Sequence, residues 1–140
     1  MKKTNVFMLT AIFAGAFMLL SFMIPQEQKT PAPWEVPAEY QKKTNPYDEY
    51  TKTMERTGKM LWSKHCKSCH GNNGEGDGPK ARQLETHAGD FTTEDFQSQS
   101  DGAIYYKSFV GREEMPNYEK KIPDEEERWA LIYYMRAMKK

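Results

Sequence analysis

The sequence predicts a helical domain over residues 47–140. Two patterns support this class: apolar residues recur at steps of three and four before a cysteine pair, and a nearly all-apolar run closes the chain. A glycine-rich loop is predicted over residues 71–79, followed by shorter helices from Pro79 to Leu84 and from Asp101 to Val110. A domain of this size has little apolar surface with which to build a core on its own.

The first long helix is predicted from Asp48 to Lys64. One stripe along it contains Tyr50, Met54, Gly58, Leu61 and His65. A glycine inside a helix costs about 1 kcal/mol relative to alanine. We therefore interpret Gly58 as a point where another helix comes close, with an incidental weak spot in the helix as the alternative.

The last helix is predicted from Pro123 to Met138. Proline suits the first turn of a helix, and the acidic residues 124–127 favour the positive end of the helix dipole. The run that follows is apolar nearly all round, which predicts burial on more than one side. Trp129 and Tyr133 share one face of this helix and are predicted to pack over Gly58.

The cysteine pair lies in the sequence Cys-Lys-Ser-Cys-His, which matches the C-x-x-C-H attachment motif of c-type haem. Cys66 and Cys69 are one helical turn apart, so both thiols can reach the same edge of a porphyrin and form thioethers. His70 follows directly and is predicted to be the proximal ligand of the iron. The motif therefore predicts one covalent haem c.

Other interpretations of the cysteine pair fit less well. A thioredoxin-like C-x-x-C requires a preceding strand, whereas a helical pattern precedes this one. A structural zinc site needs four ligands, and only His65, His70 and His87 could supplement the two thiols. A plain disulfide between Cys66 and Cys69 would leave His70 unexplained.

Met115 is predicted to be the second axial ligand. It lies in the polar turn 111–116, where a single thioether followed by proline has no obvious packing role. His87 and an empty sixth position remain alternatives. A thioether favours ferrous iron and raises the reduction potential relative to two histidines. Four other methionines lie in predicted helices, where core packing explains them: Met54, Met60, Met135 and Met138.

The N-terminus has the pattern of an export segment. Lys2 and Lys3 precede an apolar run from Val6 to Ile24. The run approaches the length that spans a bilayer, and its one Ala-x-Ala sequence, Ala14 to Ala16, lies in the middle of the run. We therefore predict an extracytoplasmic, periplasmic domain tethered to the inner membrane by a retained anchor, with a cleaved signal peptide as the alternative.

The chain divides into an N-terminal segment (1–24), a proline-rich linker (25–46) and the helical domain (47–140). The linker contains five prolines among polar residues, which favours an extended, semi-rigid spacer. Trp34 and Tyr40 lie within it. They either extend away with the linker or pack back on the domain.

The charge balance excludes one class of partner. The chain has 20 basic and 20 acidic residues, and without Lys2 and Lys3 the count is 18 basic against 20 acidic, or −2. No basic patch indicates nucleic acid. The predicted partners are redox proteins, with an N-terminal membrane contact.

The sequence resembles the class I c-type cytochromes, especially small bacterial single-haem domains. The resemblance covers nearly all of residues 47–138. The matching residues, in chain order, are Gly58, Leu61 to His65, Cys66, Cys69 with His70 and Gly71, the loop Gly74 to Pro79, the turn Gly111 to Pro116, and the aromatic last helix.

This resemblance implies an all-α fold in which the N- and C-terminal helices cross beside the haem. It also implies His70 and Met115 as axial ligands, with the carbonyl of Pro79 or a neighbour accepting a hydrogen bond from His70 Nδ1. The implied function is one-electron transfer without enzymatic activity. The alternatives are a fixed haem subunit of a larger membrane oxidoreductase and a haem enzyme or gas sensor with an open sixth position.

Overall fold

A computed structural model describes residues 28–47 and 49–140. Within that part of the chain the backbone is helical and contains no β-strand, only two isolated bridges. No helix of the described residues is long and apolar enough to cross a membrane. The predicted segment from Val6 to Ile24 lies outside the described residues. The helices are α1 Ala38–Gln41, α2 Lys52–Leu61, α3 Lys67–His70, α4 Glu94–Gln97, α5 Asp101–Phe109 and α6 Glu125–Arg136.

Helix α2 begins later than predicted. Thr51 is its N-cap, and the Thr51 side chain accepts a hydrogen bond from the Met54 backbone N–H at 3.2 Å. Beyond Leu61 the helix widens into a π-helical segment, Trp62–Cys66, which leads into α3. A π-helical turn adds a residue and shifts the helical phase, so His65 leaves the buried stripe and is half-buried.

Helices α2 and α6 cross at Gly58, as predicted. A β-carbon built on Gly58 would lie 2.8 Å from Cβ of Tyr134 and 3.0 Å from the carbonyl carbon of Ala130. The prediction that Trp129 and Tyr133 cover Gly58 is wrong. Because α6 is apolar nearly all round, its sequence does not reveal which face meets α2.

Helix α6 is shorter at both ends than the predicted range from Pro123 to Met138. Asp124 caps its N-terminus, where the carboxylate accepts a hydrogen bond from the Glu127 N–H at 3.0 Å. The helix ends at Arg136, whose guanidinium contacts Asp101 at the start of α5 and the backbone carbonyls of Gln97 and Gln99, which precede α5. Helix α6 is thereby attached to α5 as well as to α2.

The shorter elements differ in extent from the predictions. The predicted helix over Pro79 to Leu84 is a single 3₁₀ turn, Ala81–Gln83. Helix α5 stops one residue before the predicted Val110, and its N-cap is Ser100. Helix α4 was not predicted, because its four residues are too few to display a period.

Residues of the proline-rich segment pack on the domain. The Trp34 and Tyr40 rings contact Tyr106 of α5, with ring centroids 6.3 and 4.8 Å away. Lys43 donates to a carboxylate oxygen of Glu125 at 2.8 Å. Of the two alternatives that the sequence left open for Trp34 and Tyr40, the structure has the packed one. The division of the chain after residues 24 and 46 stays a prediction.

Candidate functional site

A single cavity brings the predicted site residues together. Its volume is about 860 Å³, and Cys66, Cys69, His70 and Met115 all line it. Pockets that hold small organic ligands typically measure ~300–1,000 Å³. The cavity is therefore large enough for a molecule of macrocycle size.

The two cysteines reach the cavity from the end of the π-helical segment and from α3. Both are free thiols; Cys66 is buried and Cys69 is half-buried. Burial raises the pKa of the Cys66 thiol to about 12, with the neighbouring Cys69 adding to the effect. Cys66 is therefore a neutral thiol at ordinary pH.

His70 ends α3 with its imidazole buried in the cavity wall. The His70 ring packs against Phe91 and Trp62, with centroids 4.7 and 5.9 Å away. Burial is the main cause that lowers the pKa of His70 to about 4, so the imidazole is neutral near pH 7. The neutral form is the one that binds a metal ion.

The loop that follows α3 is hydrogen-bonded back to it. The Gly78 N–H donates to the Cys69 carbonyl at 3.1 Å, and the Lys80 N–H donates to the Ser68 carbonyl at 2.8 Å. His70 Nδ1 nevertheless has no hydrogen-bond partner within the described part of the chain. The acceptor expected at Pro79 or a neighbour is therefore not engaged in this structure.

Met115 is held in a tight turn. Arg112 and Met115 exchange two backbone hydrogen bonds, both 2.7 Å long. The turn requires left-handed backbone at Gly111 and Glu113, whose φ angles are 74° and 42°. The Met115 side chain is half-buried and lines the cavity that also contains His70.

His87, the rival ligand, also lines the cavity. Its imidazole is exposed, and Nδ1 accepts a hydrogen bond from the Gly89 N–H at 3.0 Å. This hydrogen bond uses one nitrogen of the His87 ring and ties the ring to Gly89 in the same loop. Within residues 28–47 and 49–140, no three His, Cys, Asp or Glu side chains are grouped so that they could hold a metal ion.

Three aromatic residues complete the site, and none was predicted as a site residue. Trp62 is buried and its Nε1 donates to the Gly71 carbonyl at 3.0 Å. Tyr118 lines the cavity and its hydroxyl donates to the His65 carbonyl at 3.0 Å. Phe91 reaches His70 from a loop. Trp62, four residues before the first cysteine of the C-x-x-C-H motif, was a usable signal, whereas Phe91 and Tyr118 lie in loops without periodicity.

The residues present fit a covalent haem. Two free thiols, a neutral imidazole and a soft thioether line one cavity. The donor set suits haem iron, because imidazole and thioether are axial ligands of cytochromes. A second, small crevice shares His70 and Met115 with the cavity and adds the apolar side chains of Phe109, Leu131 and Met135.

Comparison with known proteins gives the same assignment. A family model described as Cytochrome c matches residues 55–139, which is more than half of the chain. The match includes the C-x-x-C-H motif, the turn with Met115 and all of α6. No curated protein sequence matches the chain. The chain belongs to the cytochrome c family, whose domains bind haem c and transfer electrons.

Proposed function

We propose that this chain is a one-electron carrier with a single covalent haem c, bound through Cys66 and Cys69 and ligated by His70 and Met115. One observation supports the proposal above all: these four side chains, which come from the C-x-x-C-H motif and from a turn 45 residues later, line the same cavity. Bound haem iron would supply one-electron oxidation and reduction. Covalent attachment would keep the cofactor in place through repeated cycles.

The protein residues have distinct roles in this proposal. His70 presents a neutral, buried imidazole, and Met115 presents a soft thioether that favours the reduced metal. Trp62, Phe91 and Tyr118 surround the site with aromatic surface and limit the access of water. Little reorganisation of the surroundings is then needed when the charge at the site changes, which suits electron transfer more than substrate chemistry.

We also propose that the domain works outside the cytoplasmic membrane as a tethered carrier. The support is the positive N-terminal region followed by the apolar run from Val6 to Ile24. Its partners would be a redox donor and a redox acceptor. With a near-balanced charge of −2 beyond residue 24, these partners are not selected by a strong electrostatic field.

The ligation is tested by absorption spectroscopy of the ferric protein. The near-infrared band of methionine–iron(III) ligation is expected in the wild type. It should vanish in Met115→Ala, with a fall in reduction potential. Met54→Leu, which alters a buried methionine of α2, is the matched control and should keep both properties. Loss of the band in His87→Ala but not in Met115→Ala would contradict the assignment.

Carbon monoxide distinguishes a carrier from an enzyme or gas sensor. If Met115 occupies the sixth position, the ferrous wild type should bind carbon monoxide weakly and Met115→Ala should bind it readily. Strong binding by the wild type would favour an open sixth position and overturn the carrier proposal.

A further inference from the structure

The turn that contains Met115 is hydrogen-bonded to two other segments, which are also hydrogen-bonded to each other. The three segments are Gln28–Trp34, Glu85–His87 and Arg112–Met115, and together we name them the methionine clasp. Residues from all three line the haem cavity. The clasp forms one part of the cavity wall, and none of its residues belongs to the cysteine motif.

The first link of the clasp is made by Glu114. One carboxylate oxygen accepts from the Glu85 N–H at 2.8 Å, and the other accepts from the Thr86 N–H at 3.0 Å and the Thr86 hydroxyl at 2.9 Å. Hydrogen bonds to an ionised acceptor are stronger than those between neutral groups. Glu114 therefore fixes the residue next to Met115 against a loop more than twenty residues earlier.

The second link is made by Arg112. Its guanidinium lies 4.0 Å from the centroid of the Trp34 ring, and Nη1 donates to the Pro33 carbonyl at 2.9 Å. Nη2 donates to the Ala32 carbonyl. A planar guanidinium can stack on an aromatic ring and donate two hydrogen bonds at once, and lysine cannot reproduce this arrangement.

The third link closes the clasp. The Lys29 N–H donates to the Glu85 carbonyl at 2.8 Å, and the His87 N–H donates to the Lys29 carbonyl at 3.3 Å. The Gln28 side chain donates to the Thr86 carbonyl at 3.4 Å, within the clasp, and to the Ala81 and Leu84 carbonyls just before it at 2.7 and 3.1 Å. Residues 28–34 precede residues 55–139, the part of the chain that the cytochrome c family accounts for. The clasp thus uses a segment that lies outside the residues matched by the family model.

We infer that Arg112, Glu114 and Gln28 are positioning residues for Met115, which hold its thioether over the cavity so that it competes with external ligands. This inference rests on the proposed ligation by Met115. A thioether is a weak donor, so its occupancy of the metal depends on how little freedom its turn has when the bond opens. Each link removes some of that freedom, because the two neighbouring segments fix the turn in place.

The test is an imidazole titration of the full-length ferric haem protein, followed by the near-infrared methionine band. In Glu114→Gln and Arg112→Gln, half-loss of the band is expected at about one-tenth of the wild-type imidazole concentration, the ratio that corresponds to loss of one hydrogen bond to a charged group. Gln28→Ala should shift the midpoint in the same direction. Lys120→Gln is the control and should behave as wild type, since Lys120 is an exposed charged residue outside the clasp.

The outcomes separate this inference from the proposed function. A wild-type band together with unchanged midpoints in all three variants would overturn the clasp and leave ligation by Met115 intact. Absence of the band in the wild type would overturn the ligation, and the inference with it. If Arg112→Gln does not fold, Glu114→Gln decides the matter, because its side chain is exposed and its replacement creates no buried defect.

Discussion

Gly58 of α2 lies directly against the backbone of Ala130 in α6: a β-carbon on Gly58 would be 3.0 Å from the Ala130 carbonyl carbon and nearer still to its oxygen. No side chain separates the two helices at this point. Helix α2 continues through the π-helical segment into the cysteine motif, and α6 supplies Leu131 and Met135 to the crevice beside the site. The crossing at Gly58 therefore sets where the residues that line the cavity lie relative to the core.

Gly58→Ala is expected to destabilise the domain. Alanine gains about 1 kcal/mol of helix propensity over glycine, but only where its methyl group has room. Here the new methyl would overlap backbone atoms of Ala130 that cannot turn aside, and overpacking of this kind costs about 1–3 kcal/mol. Denaturant titration of the haem protein measures the change in the free energy of unfolding.

The matched control for this change is Lys59→Ala. Lys59 is exposed and adjacent in the same helix, so its replacement tests propensity without the steric contact. The control should alter stability by no more than about 0.5 kcal/mol. A Gly58→Ala protein as stable as the wild type would show that α2 and α6 do not approach this closely.

Trp62→Phe should cost more stability than Trp129→Phe. Both indoles are buried and both changes remove the same atoms. Trp62 Nε1 donates to the Gly71 carbonyl, whereas Trp129 Nε1 has no hydrogen-bond partner in the described part of the chain. The difference in unfolding free energy should be about 1–3 kcal/mol, the cost of a buried carbonyl left unpaired. Equal losses in thermal or denaturant melts would show that the bond to Gly71 contributes nothing.

The long helices, and the residues that meet in the cavity, could be predicted because their signals are local. The apolar stripe of α2 and the acidic start of α6 can each be recognised within a short stretch of sequence. The C-x-x-C-H motif and the isolated Met115 indicate a haem site by their chemistry, and their roles at the iron stay predictions. The crossing at Gly58 was also predictable, since an interior helical glycine requires a reason.

The rest depends on tertiary contacts that a local pattern does not contain. The choice of Ala130 and Tyr134 over Trp129 and Tyr133 is a rotation of about 100° around α6, the angle between successive helical residues. The Trp129 ring instead packs against the ring of Tyr105 in α5, with the two ring centroids 4.9 Å apart. The packing of residues 28–47 on the domain likewise depends on contacts between residues far apart in the sequence, such as Trp34 with Tyr106. A local pattern does not show such contacts, and the prolines of this segment therefore predicted only a spacer.

The haem domain is expected outside the cytoplasmic membrane and attached by the segment from Val6 to Ile24. The reason is an apolar run of near bilayer length behind Lys2 and Lys3, with no small-residue cleavage sequence at its end. Cell fractionation with mass spectrometry measures both features. Intact peptides that include Val6 to Ile24 in the membrane fraction would support the tether.

Two other results of the fractionation would change the picture. A soluble mature protein that begins between Phe17 and Lys29 would show a cleaved signal peptide, and the carrier would then diffuse freely. Haem-bearing protein in the cytoplasm would contradict export itself. The spectroscopic predictions for the haem site do not depend on either result.

The haem is expected to be covalent through both thiols. Acid–acetone extraction should leave the colour with the wild-type protein, because thioether bonds survive conditions that break iron–ligand bonds. Cys66→Ala with Cys69→Ala should yield a chain that retains no haem after extraction and melts at a lower temperature. The physical reason is the cavity of about 860 Å³, since an unfilled cavity forfeits the contacts of the side chains that line it. Ser68→Ala, between the two cysteines, is the control and should keep its haem. Complete extraction of haem from the wild type would show that the two thiols form no thioether.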